Sequence, residues 1–286
     1  MKGDKWDERI DRARALISTY PFATEGLRFY IQVATFQRSL YHHVQKALTD
    51  SPKAFSGGAL RGELDLFILL PKFSGFLSVI QEVAPRPLRE AATILAQQAP
   101  SQWRLLLEGF WQHELGSPAG VGETEQEWFG NQSGVVTPSE SYLAWIFLQP
   151  YAEYLASHRG PVHQDGTPST CPLCGAKPIV GVLRREGDGA KKSLICMLCA
   201  HEWTFRRIYC PACGEQREPQ MAFYSAPEIT HVRVDVCDSC HTYLKSIDLT
   251  KTGLAVPIVD ELATLPLDLW AREHGYEKWQ INLLGT

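Results

Sequence analysis

The stretch CMLCAHEWTFRRIYCPACG, residues 196–214, holds two Cys-x-x-Cys pairs with ten residues between them. Four such sulfurs can make one metal site, supply halves of two sites, or act as redox dithiols. The rest of the chain decides between these. Its eight cysteines all fall in Cys-x-x-Cys pairs, at 171/174, 196/199, 210/213 and 237/240. Cys171 and Cys210 lie 39 residues apart and Cys196 and Cys237 lie 41 apart, which exposes an internal repeat. Each unit opens with Cys-Pro-x-Cys-Gly, runs through two strand-like segments around a turn, and closes on a Cys-x-x-Cys without the glycine. The segments are PIVGVLRR (178–185) and KKSLI (191–195) in the first unit, bracketing EGDGA. In the second they are QMAFYSA (220–226) and HVRVDV (231–236), the latter alternating apolar with polar as a half-buried strand does.

A hairpin brings its two ends together, so the knuckles at its ends can close on one ion. Cys171, Cys174, Cys196 and Cys199 are expected to form one tetrahedral site, and Cys210, Cys213, Cys237 and Cys240 the other. The 21 and 23 residues between the paired knuckles suit a two-stranded ribbon. The opening stretch therefore ends one site and begins the next. Gly175 and Gly214 can take the positive φ of a tight turn, and Pro172 and Pro211 stiffen it. CMLCA and CDSCH lack these aids, so those halves are expected to be looser or more accessible. A thioredoxin-like dithiol explains neither four pairs nor their duplicated spacing. CDSCH (237–241) matches the c-type haem signature literally, yet it fills the repeat position of CMLCA, and His241 reads as a polar residue beside the knuckle. Four thiolates suit zinc or a mononuclear iron; on the residues alone zinc is favoured.

The predicted fold class is α+β: a mainly helical domain at 1–165, rubredoxin-like (zinc-ribbon-like) units at 166–208 and 209–250, and a C-terminal segment at 251–286 packing back on the protein. Trp103, Leu106, Leu107, Phe110 and Trp111 share one helical face. Leu27, Tyr30, Ile31, Ala34 and Val44 suggest another helix, and Leu64, Phe67 and Ile68 begin a third before Pro71. TPSESYLAWIFLQPYAEYLA (137–156) opens on a capping box, Thr137 to Glu140, carries Leu143, Ile146, Phe147, Tyr151, Tyr154 and Leu155 on one face, and should kink at Pro150. The Gly-rich segment 116–136 reads as a long surface loop. Trp203 and Phe205 are expected to pack between the ribbons, with Arg206 and Arg207 at a solvated edge.

The formal charge of −4 gives no overall pull towards nucleic acid, and residues 171–245 carry ten Lys/Arg against eight Asp/Glu before eight thiolates are counted. The apolar run LDLFILL (64–70) is too short to span a bilayer, and the charged N-terminus lacks the apolar stretch of a secretory signal. The expectation is a cytoplasmic protein without membrane insertion or nucleic-acid partner, a homo-oligomer being compatible with it. No phosphate loop, nucleophile elbow or His-Glu-x-x-His motif is present, so no catalytic residue is assigned and no enzyme is expected. His42 and His43 point about 100° apart on a helix and do not converge on an ion. Asp260 and Glu261 read as a helix start.

The four cysteine pairs, HEWTFRRIYCPACG (201–214), FLQPYAEYLA (147–156) and the tail PIVDELATLPLDLWAREHGYEKWQINLLG (257–285) resemble the formate dehydrogenase accessory protein FdhE family. The resemblance is close over the C-terminal half and rests on helical layout in the N-terminal half. It implies a cytoplasmic assembly factor that binds the catalytic subunit of a respiratory formate dehydrogenase before export and is not itself a formate dehydrogenase. It also implies two metal ions on the eight cysteines, with iron of the rubredoxin kind favoured over zinc. A zinc-ribbon nucleic-acid binder and a rubredoxin-type electron carrier are the alternative readings.

Overall fold

The computed structural model describes residues 4–50, 60–114, 136–160 and 166–285. The segment 116–136 lies outside them except for its last residue. The chain forms two compact units: residues 1–34, 161–172 and 176–286 make one, and residues 35–160 with 173–175 make the other. Among the described residues, the α-helices of the N-terminal half are α1 (Lys5–Thr19), α2 (Thr24–Asp50), α3 (Leu66–Val83), α4 (Arg86–Ala96), α5 (Pro100–Glu114) and α6 (Pro138–Ser157).

In the helical unit α6 is the central element. It starts at the expected capping box, with Glu140 N–H donating to Thr137 Oγ1 (3.2 Å) and Thr137 N–H to Glu140 Oε2 (2.8 Å). Every residue from Leu143 to Leu155 is buried, so the expected apolar face is inside and the opposite side is too. Phe147 packs on Phe73 and Phe76 of α3 at centroid separations of 4.8 and 5.4 Å, and Trp111 of α5 on Tyr151 at 5.7 Å. Pro150 has no N–H for the carbonyl four residues earlier, which belongs to Ile146. The buried Gln37 of α2 supplies the missing donor: its Nε2 lies 2.8 Å from Ile146 O and 2.9 Å from Gln149 Oε1.

Helix α3 begins before Pro71, as expected, though at Leu66, two residues after Leu64. It runs through Pro71 to Val83, because a proline near a helix start costs one ladder bond without ending the helix. Asp65 caps it by accepting from Phe67 N–H, and His43 donates to Ile68 O. Phe67 faces outward; Leu66, Leu69, Phe73, Phe76, Leu77 and Ile80 face the core. By length and composition alone this helix could cross a membrane, but its outer face carries Lys72, Ser74, Ser78 and Glu82.

The other unit is built on one sheet: β1 (Pro178–Glu186), β2 (Gly189–Cys196), β3 (Glu202–Phe205), β4 (Met221–Tyr224), β5 (Val232–Cys237), β6 (Thr242–Asp248) and the short β7 (Glu277–Lys278). Its order is β3-β2-β1-β6-β5-β4, with β7 pairing β6. Each repeat is thus a three-stranded meander rather than the expected two-stranded ribbon, the third strands β3 and β6 following the second knuckles. The two repeats also fuse, because β1 and β6 pair in parallel from Gly181↔Ser246 to Leu183↔Asp248. Trp203 and Phe205 are buried, but on the edge strand β3 and not between the ribbons. Arg206 and Arg207 are exposed, as expected.

Gly181 makes this junction possible, since a Cβ there would lie 2.2 Å from Ser246 Oγ. With that space free, Ser246 Oγ donates to Asp235 at 2.6 Å and Lys192 Nζ reaches Asp235 at 2.7 Å. One polar bridge therefore crosses β2, β1, β6 and β5. Burial alone would raise the Asp235 carboxyl; Lys192 and Arg233 outweigh it and hold the carboxyl below its ordinary value.

The C-terminal residues add α7 (Pro257–Leu262) and α8 (Leu265–Glu273). Asp260, fully buried, accepts from Arg12 of α1, His231 and Val256 N–H, so one carboxylate ties three segments together. Glu261 and Asp268 pair with Lys245 of β6 and Lys278 of β7, all four side chains lying at most 2% exposed. Two cations against two carboxylates make the buried group neutral. Burial works against the Asp260 and Asp268 carboxylates, but their cationic partners hold both below the ordinary range. Asp260 and Glu261 are thus a buried lock, more than the helix start read from the sequence.

Candidate metal centres

Both expected groups of four sulfurs come together. Cys171, Cys174, Cys196 and Cys199 form one cluster and Cys210, Cys213, Cys237 and Cys240 the other, each with every sulfur within 4.8 Å of the rest. Cys171–Cys199, Cys210–Cys240 and Cys213–Cys237 are each separated by 3.7 Å. A tetrahedron with metal–sulfur bonds of about 2.3 Å has edges of about 3.8 Å. The donor set and its spacing therefore fit one tetrathiolate ion per cluster, and no histidine or carboxylate joins either group among the described residues.

The local backbone explains why four short turns suffice. The residue after the second cysteine has positive φ in all four knuckles: Gly175 (83°), Ala200 (52°), Gly214 (78°) and His241 (55°). The absence of glycine from the second knuckles thus does not loosen the turn; Ala200 and His241 carry the same conformation with some strain. Cys171, Cys196 and Cys210 each donate their N–H to the carbonyl five residues on, in Ala176, His201 and Glu215. In the first cluster Leu198 and Cys199 N–H groups point at Cys196 Sγ, at 3.4 and 3.5 Å. Equivalent backbone bonds join the knuckles within each unit: Met197 N–H to Lys177 O, and Asp238 N–H to Gln220 O.

Around the second cluster the structure adds groups that the sequence reading did not single out. Thr242 Oγ1 lies 3.0 Å from Cys240 Sγ, and Glu215 accepts from Ser239 Oγ at 2.8 Å, pinning one knuckle to the other. Their positions in the repeat, each two residues beyond a cysteine, were the available signal. Burial pushes the Cys210 thiol up, and the neighbouring Cys240 and Cys237 add to this, whereas hydrogen bonds led by Thr242 overcome burial and lower Cys240. Four adjacent thiols resist joint ionisation; a divalent cation removes that conflict. Two of the ten cations in 171–245, Lys192 and Lys245, are buried in ion pairs and offer nothing to phosphate.

Comparison with known proteins agrees with this geometry. Residues 170–207 match the family described as FdhE, central domain, and residues 208–284 match FdhE, C-terminal domain. A protein FdhE homolog of Aquifex aeolicus is 33% identical over 54% of this chain and 55% of its own length. One from Haemophilus ducreyi is 30% identical over 51% and 48%. One from Edwardsiella ictaluri is 26% identical over 97% and 87%. The chain thus spans about half the length of the first two of these relatives. The crystal structure of the FdhE protein from Pseudomonas aeruginosa superposes with a TM-score of 0.65 at 22% identity, covering 100% of this chain and 98% of that one, which shows a shared fold.

Proposed function

We propose, from the premise that this chain belongs to the FdhE family, that it is an accessory factor in the maturation of a respiratory formate dehydrogenase. It acts in the cytoplasm, binds the catalytic subunit of that enzyme, and has no catalytic centre of its own. The observation that carries this reading is the pair of four-sulfur clusters set in one sheet, in the order of the family's central and C-terminal domains. All eight cysteines serve as metal ligands in it. The ion is iron of the rubredoxin kind by resemblance, and zinc has the same donor geometry. Each ion would fix the shape of its knuckles; small ribbons of this size bury too little apolar surface to hold that shape alone.

The test is formate-dependent dye reduction in membranes of a strain lacking the gene, complemented with wild type or with Cys210→Ala/Cys213→Ala. The reading expects activity to be lost and restored by wild type alone. Pull-down of the purified catalytic subunit by wild-type protein tests the partner separately. Full enzyme activity without the gene, or no capture of the subunit, would remove the proposal.

A further inference from the structure

The two clusters differ in their access to solvent, and we propose that the second, Cys210/Cys213/Cys237/Cys240, is the exchangeable centre: a thiophilic divalent ion enters and leaves there by way of Cys213, while the first cluster keeps its ion as a fixed staple. This rests on the metal-site reading above. The cysteines of the first cluster are all buried, at 2% exposure or less. In the second, Cys210 and Cys237 are equally buried, but Cys213 is exposed and Cys240 half-exposed.

The spacer residues of the knuckles explain the contrast. Around the first cluster they include Leu173, Met197 and Leu198, large apolar side chains that are all buried. The same repeat positions around the second cluster hold Ala212, Asp238 and Ser239; Ala212 is half-buried and the other two are exposed. Apolar cover is replaced by polar tethers. Ser239 is held by Glu215, Asp238 accepts from the Tyr276 hydroxyl at 2.6 Å, and Cys240 lies against the Thr242 hydroxyl. The second site is therefore open by construction while its knuckles stay positioned.

Access decides the rate because exchange at a four-coordinate zinc-type ion passes through expanded coordination, in which the incoming donor arrives before a thiolate leaves. With an ion bound, Cys213 would be the ligand an incoming donor displaces, and its freed thiolate would stay at the surface, where it can take a proton from water. No electron is transferred. The buried sulfurs of the first cluster give the incoming donor no approach, so its ion leaves only when the knuckles open.

The test uses the full chain carrying two equivalents of zinc, challenged with the chromogenic chelator 4-(2-pyridylazo)resorcinol. One equivalent is expected to leave at least about tenfold faster than the other, following thiolate exposure. Cys213→Ala should abolish that fast equivalent and keep the slow one. Ala212→Leu/Asp238→Met/Ser239→Leu, which copies the first cluster's cover, should slow it. Independently of any variant, iodoacetamide mapping of wild-type zinc protein should alkylate Cys213 before Cys171, Cys174, Cys196 or Cys199. Two equivalents leaving at one rate, or first-cluster cysteines alkylated as fast as Cys213, would overturn the inference and leave the accessory role intact. Failure of wild type to retain any zinc would overturn both this inference and the metal-site reading beneath it.

Discussion

Gly181→Ala tests the fusion of the two repeats into one sheet. The new Cβ would sit 2.2 Å from Ser246 Oγ, 3.2 Å from Ser246 Cβ and 3.4 Å from Lys192 Cε. The hydroxyl can rotate away, but then it loses its bond to the buried Asp235. A hydrogen bond to a charged group is worth about 1.5–3 kcal/mol. The tight approach to Ser246 Cβ and Lys192 adds an overpacking cost of about 1–3 kcal/mol. The expected loss is about 3–5 kcal/mol, read from urea or thermal unfolding of the metal-loaded protein. Ser246→Ala alone should cost about 1.5–3 kcal/mol. The double variant should be less destabilised than the sum of the singles by about that amount, because the same hydrogen bond is lost once. Additive effects, or a Gly181→Ala protein within about 0.5 kcal/mol of wild type, would refute the claim that this glycine makes room for the bridge.

Three other outcomes follow from particular contacts. Gln37→Leu withdraws the donor from the buried Ile146 carbonyl beside Pro150 and should cost about 1–3 kcal/mol in denaturant unfolding; a neutral effect would show that α6 does not need it. Ala200→Gly should stabilise the metal-loaded protein by about 0.5–1 kcal/mol, since glycine tolerates the positive φ that alanine holds with strain; destabilisation would contradict the shared knuckle geometry. Asp235, Asp260 and Asp268 sit below their ordinary range in the folded protein, so their contribution is complete above the unfolded value of about 3.9 and is lost as pH falls from there through the folded values. The stability against urea that metal-loaded wild type holds over metal-loaded Asp260→Asn should therefore shrink below about pH 4; a difference that grows there would reverse the sign.

Much of this was legible in the sequence, for definable reasons. Ligand spacing, repeat length and strand patterning are local, so the two clusters and the first two strands of each unit followed from the cysteines and the strand-like runs between them. The capping box of α6 is equally local. Long-range pairing was not legible: nothing in PIVGVLRR or in the residues after Cys240 announces that β1 and β6 pair in parallel. The role of Gly181 depends on a side chain 65 positions later in the chain. Asp260 and Glu261 read as a helix start because their cationic partners Arg12, Lys245 and Lys278 lie elsewhere in sequence. The unequal exposure of the clusters was half visible: the missing glycines pointed to the wrong feature, while Leu173, Met197 and Leu198 against Ala212, Asp238 and Ser239 carried the difference.

The decisive measurement is metal content with X-ray absorption on anaerobically purified protein, for wild type, Cys171→Ala/Cys174→Ala and Cys210→Ala/Cys213→Ala. Two ions per wild-type chain, each with four sulfur neighbours at about 2.3 Å, and one ion in each variant would establish two independent tetrathiolate centres. One shared ion, nitrogen or oxygen in the coordination shell, or loss of both ions from either variant would contradict them.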